Sequence, residues 1–343
     1  MRRRDLLIAL SVALAVPARK LRADHHFISF DPTVVEFDLA SLKGRYTRVE
    51  DFYIRNHYQA PAAAGPFTLE IGGEVGKPLR MGWTDLQRLP EKQVGSVLEC
   101  AGDPVRRVSL VSDGLWRGYS FADLVSQANP KPGAEYAHLF GRDGYARSVP
   151  AAWLMNGGLL ATSLNGTPLG RNHGAPCRAL FPGWYGANSV KWLEKITLAR
   201  SPLPAVGNTY LEIWKGSSGT FERRPLPQVQ VKSVITSPAD GAVLHPGKLQ
   251  ISGLAWSGSG PVEKVEVSAD AGGQWRSAAL DAGSSRYDWT RWSAAFEINR
   301  RGVIEIVSRA ADSAGNVQPR RRDPRRLDYY AYNVCDRIRC VVV

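Results

Sequence analysis

From about residue 230 onward the sequence runs in short β-prone stretches divided by glycine or aspartate turns: VKSVITSP, LQISGLAW, VEKVEVSAD, FEINR and VIEIVSRAAD. Such stretches suit strands with one buried face, and strands this short bury that face only when sheets stack. The C-terminal part is therefore expected to be an all-β sandwich of immunoglobulin-like type. The 33 glycines and 22 prolines carry the same broken texture through the rest of the chain, leaving room for short helices only.

The 343 residues fit two domains, expected at 24–225 and 226–343, with residues 201–230 as a connector. In the first, FTLEIGGEVGKPLRM predicts a hairpin. TDLQRLP, with Thr84 as N-cap, and SFADLVSQA predict short helices. VGSVLEC predicts a strand that hands Cys100 to a loop. The expected fold class is thus α+β: a mixed α/β domain followed by the sandwich. Between Leu159 and Arg200 the middle of the sequence is loaded with Gly, Pro, Asn, His and Arg, a composition suited to rigid loops around a ligand.

The N-terminus reads MRRRDLLIALSVALAVPARKLRADHH. Its apolar core, Leu6 to Val16, is too short for a stable membrane span and matches a signal-peptide core. The arginine pair before it resembles a twin-arginine signal, which implies export of a folded, cofactor-loaded protein to the periplasm. Residues 1–23 carry six positive charges and one negative, so their removal lowers the net charge from +12 to +7. Nothing else is apolar enough for a span in the mature chain, and nothing calls for a nucleic-acid partner. The basic run PRRRDPRR, residues 319–326, is either a solvated loop or a face for an acidic partner.

Four cysteines, Cys100, Cys177, Cys335 and Cys340, make no disulfide scaffold, although Cys335 and Cys340 are near enough in sequence to pair. No C-x-x-C-H occurs, so no haem is attached to this chain, and no C-x-x-C pair suggests an iron–sulfur or zinc site. Hydrolase, phosphate-loop and dinucleotide motifs are missing from their required contexts. Arginines and Lys191 gather instead in loop contexts such as RNH and HGAPCR, a pattern suited to oxyanions. On this reading Cys100 is a buried thiol, a nucleophile or a metal ligand, and the two arginines that follow it favour its thiolate. Cys177 reads as packing.

The motifs YIRNH (53–57), LECAG (98–102), GRDGY (141–145), NGTPLGRNHGAPCR (165–178) and PGWYGANSVKWL (182–193), in this order, resemble the sulfite oxidase family of molybdenum enzymes. The resemblance covers roughly residues 45–343 and extends to that family's C-terminal domain. It implies a molybdenum–molybdopterin cofactor with one pterin dithiolene, and Cys100 as the protein's ligand to molybdenum. Tyr53, Asn56, His57, Asp143, His173, Arg178, Ser189, Val190 and Lys191 match positions that hold the pterin and its phosphate. Arg55 matches the arginine that faces the substrate, joined by Arg106 or Arg107. The implied activity is oxidation of sulfite, or a related sulfur oxyanion, with electrons passed to a separate c-type cytochrome. A homodimer, or a heterodimer with a cytochrome subunit, is implied as well.

Two departures stand out. The turn after Cys100 reads Ala-Gly-Asp-Pro where the family commonly has Ala-Gly-Asn, which is expected to set Asp103 near the anion pocket. The connector offers Trp214-Lys215-Gly216 where an active-site tyrosine is usual, with Tyr210 four residues before. These departures keep two alternatives open: a molybdenum enzyme acting on sulfane sulfur or a sulfoxide, and a non-catalytic cofactor- or anion-binding member of the fold.

Overall fold

The computed structural model describes residues 25–62, 66–204 and 210–343. The expected leader at 1–23 lies outside the described residues.

Strands dominate. Among the described residues the α-helices are Trp83–Leu86, Phe121–Ser126 and Ala151–Met155, of four, six and five residues. The expected mixed α/β domain is therefore mostly β, with helices reduced to single turns. One cap also differs from expectation. Helix Trp83–Leu86 starts from Gly82, whose N–H donates to the Asp85 carboxylate at 3.0 Å, and not from Thr84. Helix Phe121–Ser126 buries Phe121, Leu124 and Val125, a one-face spacing that fixes it on the core.

The predicted hairpin forms: Leu69–Gly73 pairs antiparallel with Leu79–Met81. It edges a mixed sheet in which Leu69–Gly73 runs parallel to Leu193–Ala199, followed by Tyr136–Gly141 and Ala146–Pro150. A second sheet orders Thr167–Pro168, Leu159–Leu164, Val111–Ser120 and Glu91–Glu99, with Arg178–Leu180 paired to Leu159–Leu164. A small sheet near the N-terminus pairs Thr33–Asp38 with Ile54–Arg55 and Val108–Ser109.

Beyond the hairpin Leu211–Lys215/Phe221–Pro225, two further sheets form. One orders Lys232–Ser237, Gly247–Trp256, Thr290–Ile298 and Ala279–Asp281; the other is built on Asp336–Val342, Gly302–Asp312 and Val262–Ser268. Asp336–Val342 alternates buried and exposed at every residue, as a half-buried strand must. One apolar cluster draws on both sheets, including Ile251, Trp292, Val265, Ile306 and Cys340.

A different apolar cluster runs across residue 225. It joins Phe52, Val97, Trp116 and Tyr185 to Leu226, Val234, Trp256, Trp289 and Tyr330. The two halves of the chain therefore share a core. All four cysteines are free thiols. Cys335 and Cys340 turn toward the carbonyls of Gln318 and Ala239 and do not pair. Among the described residues no helix is long and apolar enough to cross a membrane.

Candidate functional site

Strand Glu91–Glu99 is exposed at its start and fully buried over its last five residues. It enters the protein and delivers Cys100 to the wall of a half-open cavity. Four contacts set the position of that turn. The Cys100 N–H donates to the Leu110 carbonyl at 2.9 Å, and the Asp103 N–H donates to the Cys100 carbonyl at 3.0 Å. The Asp103 carboxylate accepts from Leu110 N–H at 2.6 Å, so it pins the loop and does not enter the anion pocket as expected. From the C-terminal half, the Ala331 N–H donates to the Ala101 carbonyl at 2.8 Å.

Glu99 is wholly buried beneath this turn. It pairs with Lys232 and accepts from Trp256 Nε1 at 2.7 Å. The residue before Cys100 is thus clamped by side chains of the second half. Burial pushes the Cys100 thiol up to about 11, with Asp103 and Glu99 adding to the rise. The expected thiolate-favouring arginines do not offset this, because both are engaged elsewhere. A bound cation would displace this proton directly.

Three cations, Arg55, Arg178 and Lys191, line the rest of the wall, with Asp143 as the carboxylate among them. Lys191 Nζ donates to Asn56 Oδ1 and the Asn172 carbonyl, each at 2.6 Å, and to the Arg55 carbonyl at 3.3 Å. Arg178 is 2% exposed and donates to the Ser189 carbonyl at 2.9 Å. Among the described residues neither cation forms an ion pair; their partners are neutral oxygens. Burial pushes Arg178 down to about 10. It pushes Lys191 well below its usual range, helped by the charge of Arg178. His173, buried beside both cations, falls to about 3 and is neutral. His57 is lowered by burial and by Arg55. Buried charge without a counter-charge is costly, so this cluster is built for an anion.

Comparison with known proteins agrees with this chemistry. The family model for an oxidoreductase molybdopterin binding domain matches residues 57–206, and that for a Mo-co oxidoreductase dimerisation domain matches residues 223–334. Sulfite oxidase from Gallus gallus is 32% identical over 310 residues, covering 79% of this chain and 67% of its own length. The chain belongs to the sulfite oxidase family of molybdopterin oxidoreductases. Mitochondrial sulfite oxidase from Homo sapiens is 31% identical over 78% of this chain, which spans only 56% of the human protein. Sulfane dehydrogenase SoxCD from Paracoccus pantotrophus superposes with a TM-score of 0.84, covering 96% of this chain and 92% of its own, at 25% identity.

The site of this sulfite oxidase family member fits its molybdenum–molybdopterin cofactor. Among the described residues no three His, Cys, Asp or Glu side chains gather to hold a metal, so the remaining ligands must come with the cofactor. The unpaired cations answer its negative charge. Gly186 leaves the cavity floor clear, since a Cβ there would lie 3.0 Å from Tyr53 Oη and 3.2 Å from the Glu99 carbonyl.

Most of the expected residues converge on this cavity: Tyr53, Arg55, Asn56, His57, Cys100, Asp143, Arg178, Ser189, Lys191 and Tyr210 all line it. His173 stands just behind, its ring edge-on to Phe52 at 5.7 Å. Val190 does not line it; its side chain packs in the apolar core, while its carbonyl accepts from Ala179 N–H at 2.8 Å.

Arg106 and Arg107 correct the expectation most plainly. Strand Val108–Ser109 pairs beside Phe37 and Asp38, which brings Arg106 onto Glu36 and Arg107 onto Asp38, the latter at 3.1 Å. Neither lines the cavity. Trp214 is also elsewhere, with its Nε1 on Glu212 at 2.8 Å and the guanidiniums of Arg224, Arg325 and Arg326 over its ring at 5.0–5.6 Å. Tyr210 takes the place beside the site, its hydroxyl 3.2 Å from His57 Nδ1.

Two aromatic lining residues escape the motif reading although both sit inside its motifs. Tyr145 closes GRDGY and donates to the Ala187 carbonyl at 2.7 Å. Trp192, at φ +50°, donates from Nε1 to the Arg171 carbonyl at 2.9 Å.

Proposed function

We propose that this protein oxidises sulfite to sulfate and passes the electrons to a separate c-type cytochrome. The observation that carries this reading is the pair of buried cations, Lys191 and Arg178, sharing one cavity with Cys100 and Arg55. When bound, the molybdenum–molybdopterin group supplies oxygen-atom transfer and a store for two electrons. Cys100 would hold the metal. His57, Asp143, His173, Arg178, Ser189 and Lys191, with Tyr53 and Asn56, would hold the pterin and its phosphate.

The chain's own residues do the rest. Arg55 binds the sulfite oxyanion through its guanidinium fork. Neutral His57 and the Tyr210 hydroxyl form a hydrogen-bonded pair at the same wall and place a donor beside the substrate. The balance is sulfite plus water giving sulfate, two protons and two electrons. The electrons reduce two one-electron acceptors in turn.

A second reading has its own support. The structural match to a sulfane dehydrogenase extends over nearly the whole chain. On that reading the same cations bind a substrate carrying sulfane sulfur.

The further expectations form part of the proposal. Residues 1–23 export the folded protein by a twin-arginine route to the periplasm. The C-terminal sheets form an immunoglobulin-like sandwich that supports a dimer or a cytochrome subunit, a reading to which the matched dimerisation domain lends support.

The test is molybdenum content by elemental analysis, followed by steady-state turnover. Near-stoichiometric metal and sulfite-dependent reduction of cytochrome c are expected. Metal-loaded protein that turns over a thiosulfate-derived sulfane substrate at least tenfold faster than sulfite would hand the assignment to the second reading. Metal-free, inactive protein from a cofactor-competent host would overturn both.

A further inference from the structure

A line of three tyrosine rings leads out of the cavity. Tyr210 lines the cavity wall. Its ring lies 5.5 Å from that of Tyr330, which is 9% exposed. Tyr330 lies 4.4 Å from Tyr329, and their hydroxyls are bonded at 3.1 Å. Tyr329 is 68% exposed. Its ring rests over Gly102, two residues from Cys100; a Cβ on that glycine would meet it at 3.2 Å. A large aromatic ring is thus held at the surface and close to the metal-ligand turn.

The surroundings of this ring have a definite character. Leu327, half exposed, adds apolar surface beside it. Arg322 and Arg326 both donate to the Tyr330 carbonyl, at 3.1 and 3.0 Å, and so fix the tyrosine pair to the basic loop. That loop carries five arginines against two aspartates between Pro319 and Asp328. Arg322 and Arg326 are spent on Asp328 and Glu212. Arg321 stands out in solvent, and so does Arg325, although its guanidinium pairs with Asp323 at 2.7 Å and lies over Trp214. An apolar centre with a charged rim is the anatomy of an interface whose partner has the opposite charge.

We infer that this face, centred on Tyr329 and rimmed by Arg321 and Arg325, is where electrons leave the protein, and that it docks an acidic one-electron redox protein. The inference rests on the proposed sulfite-oxidising reading for its electrons. It adds the exit and the sign of the partner's charge. Each docking event moves one electron along the aromatic line to the acceptor, so each sulfite oxidised reduces two acceptor molecules.

The test uses the full-length metal-loaded protein, an acidic c-type cytochrome and a basic one. Two variants are compared with wild type: Arg321→Glu with Arg325→Glu, and Tyr329→Ala. Calorimetric titration reads binding without turnover. Wild type is expected to bind the acidic cytochrome at least tenfold more tightly than the basic one, and to lose that preference in high salt. Charge reversal is expected to weaken acidic-cytochrome binding at least tenfold. Tyr329→Ala is expected to lower cytochrome reduction at least fivefold even at cytochrome concentrations that saturate the variant. Sulfite-dependent reduction of dichlorophenolindophenol, a small diffusible dye, should stay within twofold in both variants.

Unchanged cytochrome binding after charge reversal overturns the docking face. Unchanged saturated cytochrome reduction in Tyr329→Ala overturns the exit. If charge reversal instead converts a dimer to a monomer in sedimentation, the face belongs to a second copy and the inference falls. Wild type that fails to reduce the dye with sulfite sinks the functional reading, while the titration still decides the docking face.

Discussion

The cavity and the C-terminal sheets treat buried and half-buried charge in opposite ways. In the sheets, half-buried charge is matched within the chain, and the buried Asp336, held by backbone N–H groups, is the exception. Glu266 accepts from Lys264 at 2.7 Å and Arg309 at 2.8 Å, which holds its carboxyl below the usual range despite some burial. Arg337 pairs with Glu305 at 2.6 Å, and beside the sheets Arg326 of the basic loop pairs with Glu212 at 2.6 Å. In the cavity, Lys191 and Arg178 reach only carbonyl and amide oxygens. Charge that finds its partner inside the chain fixes register and orientation. Charge left without one is held in reserve for a ligand, and its desolvation is offset only when that ligand arrives.

Four substitutions break or sharpen this contrast. The largest effect belongs to Cys100→Ser. It removes the one sulfur the chain offers to the cavity, and metal retention measured by elemental analysis should fall by more than about 100-fold. Wild-type metal content in that variant would remove Cys100 from its role.

Lys232→Met comes next, because it strips the partner from the wholly buried Glu99. Breaking a buried pair from one side costs about 3–5 kcal/mol, read by chemical denaturation. The double variant with Glu99→Gln should recover most of that loss. If it recovers nothing, Lys232 matters through its stem and not its charge.

Lys191→Met sharpens the contrast, because here no ion pair is broken and Asp143 acts on the lysine only at a distance. Relief of desolvation offsets the lost hydrogen bonds, so the cofactor-free protein should change by less than about 1 kcal/mol. Cofactor retention should nevertheless fall about 10-fold or more. A cofactor-free protein destabilised as strongly as Lys232→Met would erase the distinction between the two lysines.

Asp336 gives the smallest effect and a sign. Burial raises its carboxyl to about 6, although it accepts from the Ile235 N–H at 2.7 Å. A raised acid stabilises the fold fully below its unfolded value of about 4, and that contribution is lost as pH rises through about 6. Asp336→Asn cannot titrate. Between pH 4 and pH 7 its melting temperature should gain about 2–4 °C relative to wild type. A constant difference across that range would show that the side chain ionises freely.

Much of the site is legible in the residues themselves. The apolar run ending in Glu99 places Cys100 at the end of a strand, and a strand buried at one end delivers its last residue inward. The Gly- and Pro-broken loops between residues 165 and 193 mark where the wall stands. The sequence is silent where long-range pairing decides. Arg106 and Arg107 follow Cys100 closely, yet pairing with the strand Thr33–Asp38 turns both toward Glu36 and Asp38. Asp103 looks like a pocket residue until its backbone partner, Leu110, is known. Trp214 and Tyr210 are four residues apart, and chain geometry alone decides which faces the cavity. The helices fall short because single turns are set by packing more than by propensity.

The clamp on Glu99 has a consequence in time. Lys232 and Trp256, which grip it, lie 133 and 157 residues further along the chain. Ala331, which steadies the turn itself, is made later still. A ribosome delivers Cys100 long before it delivers the residues that hold it still. We therefore expect cofactor loading to follow completion of synthesis: an unfinished chain has the ligand but not the grip.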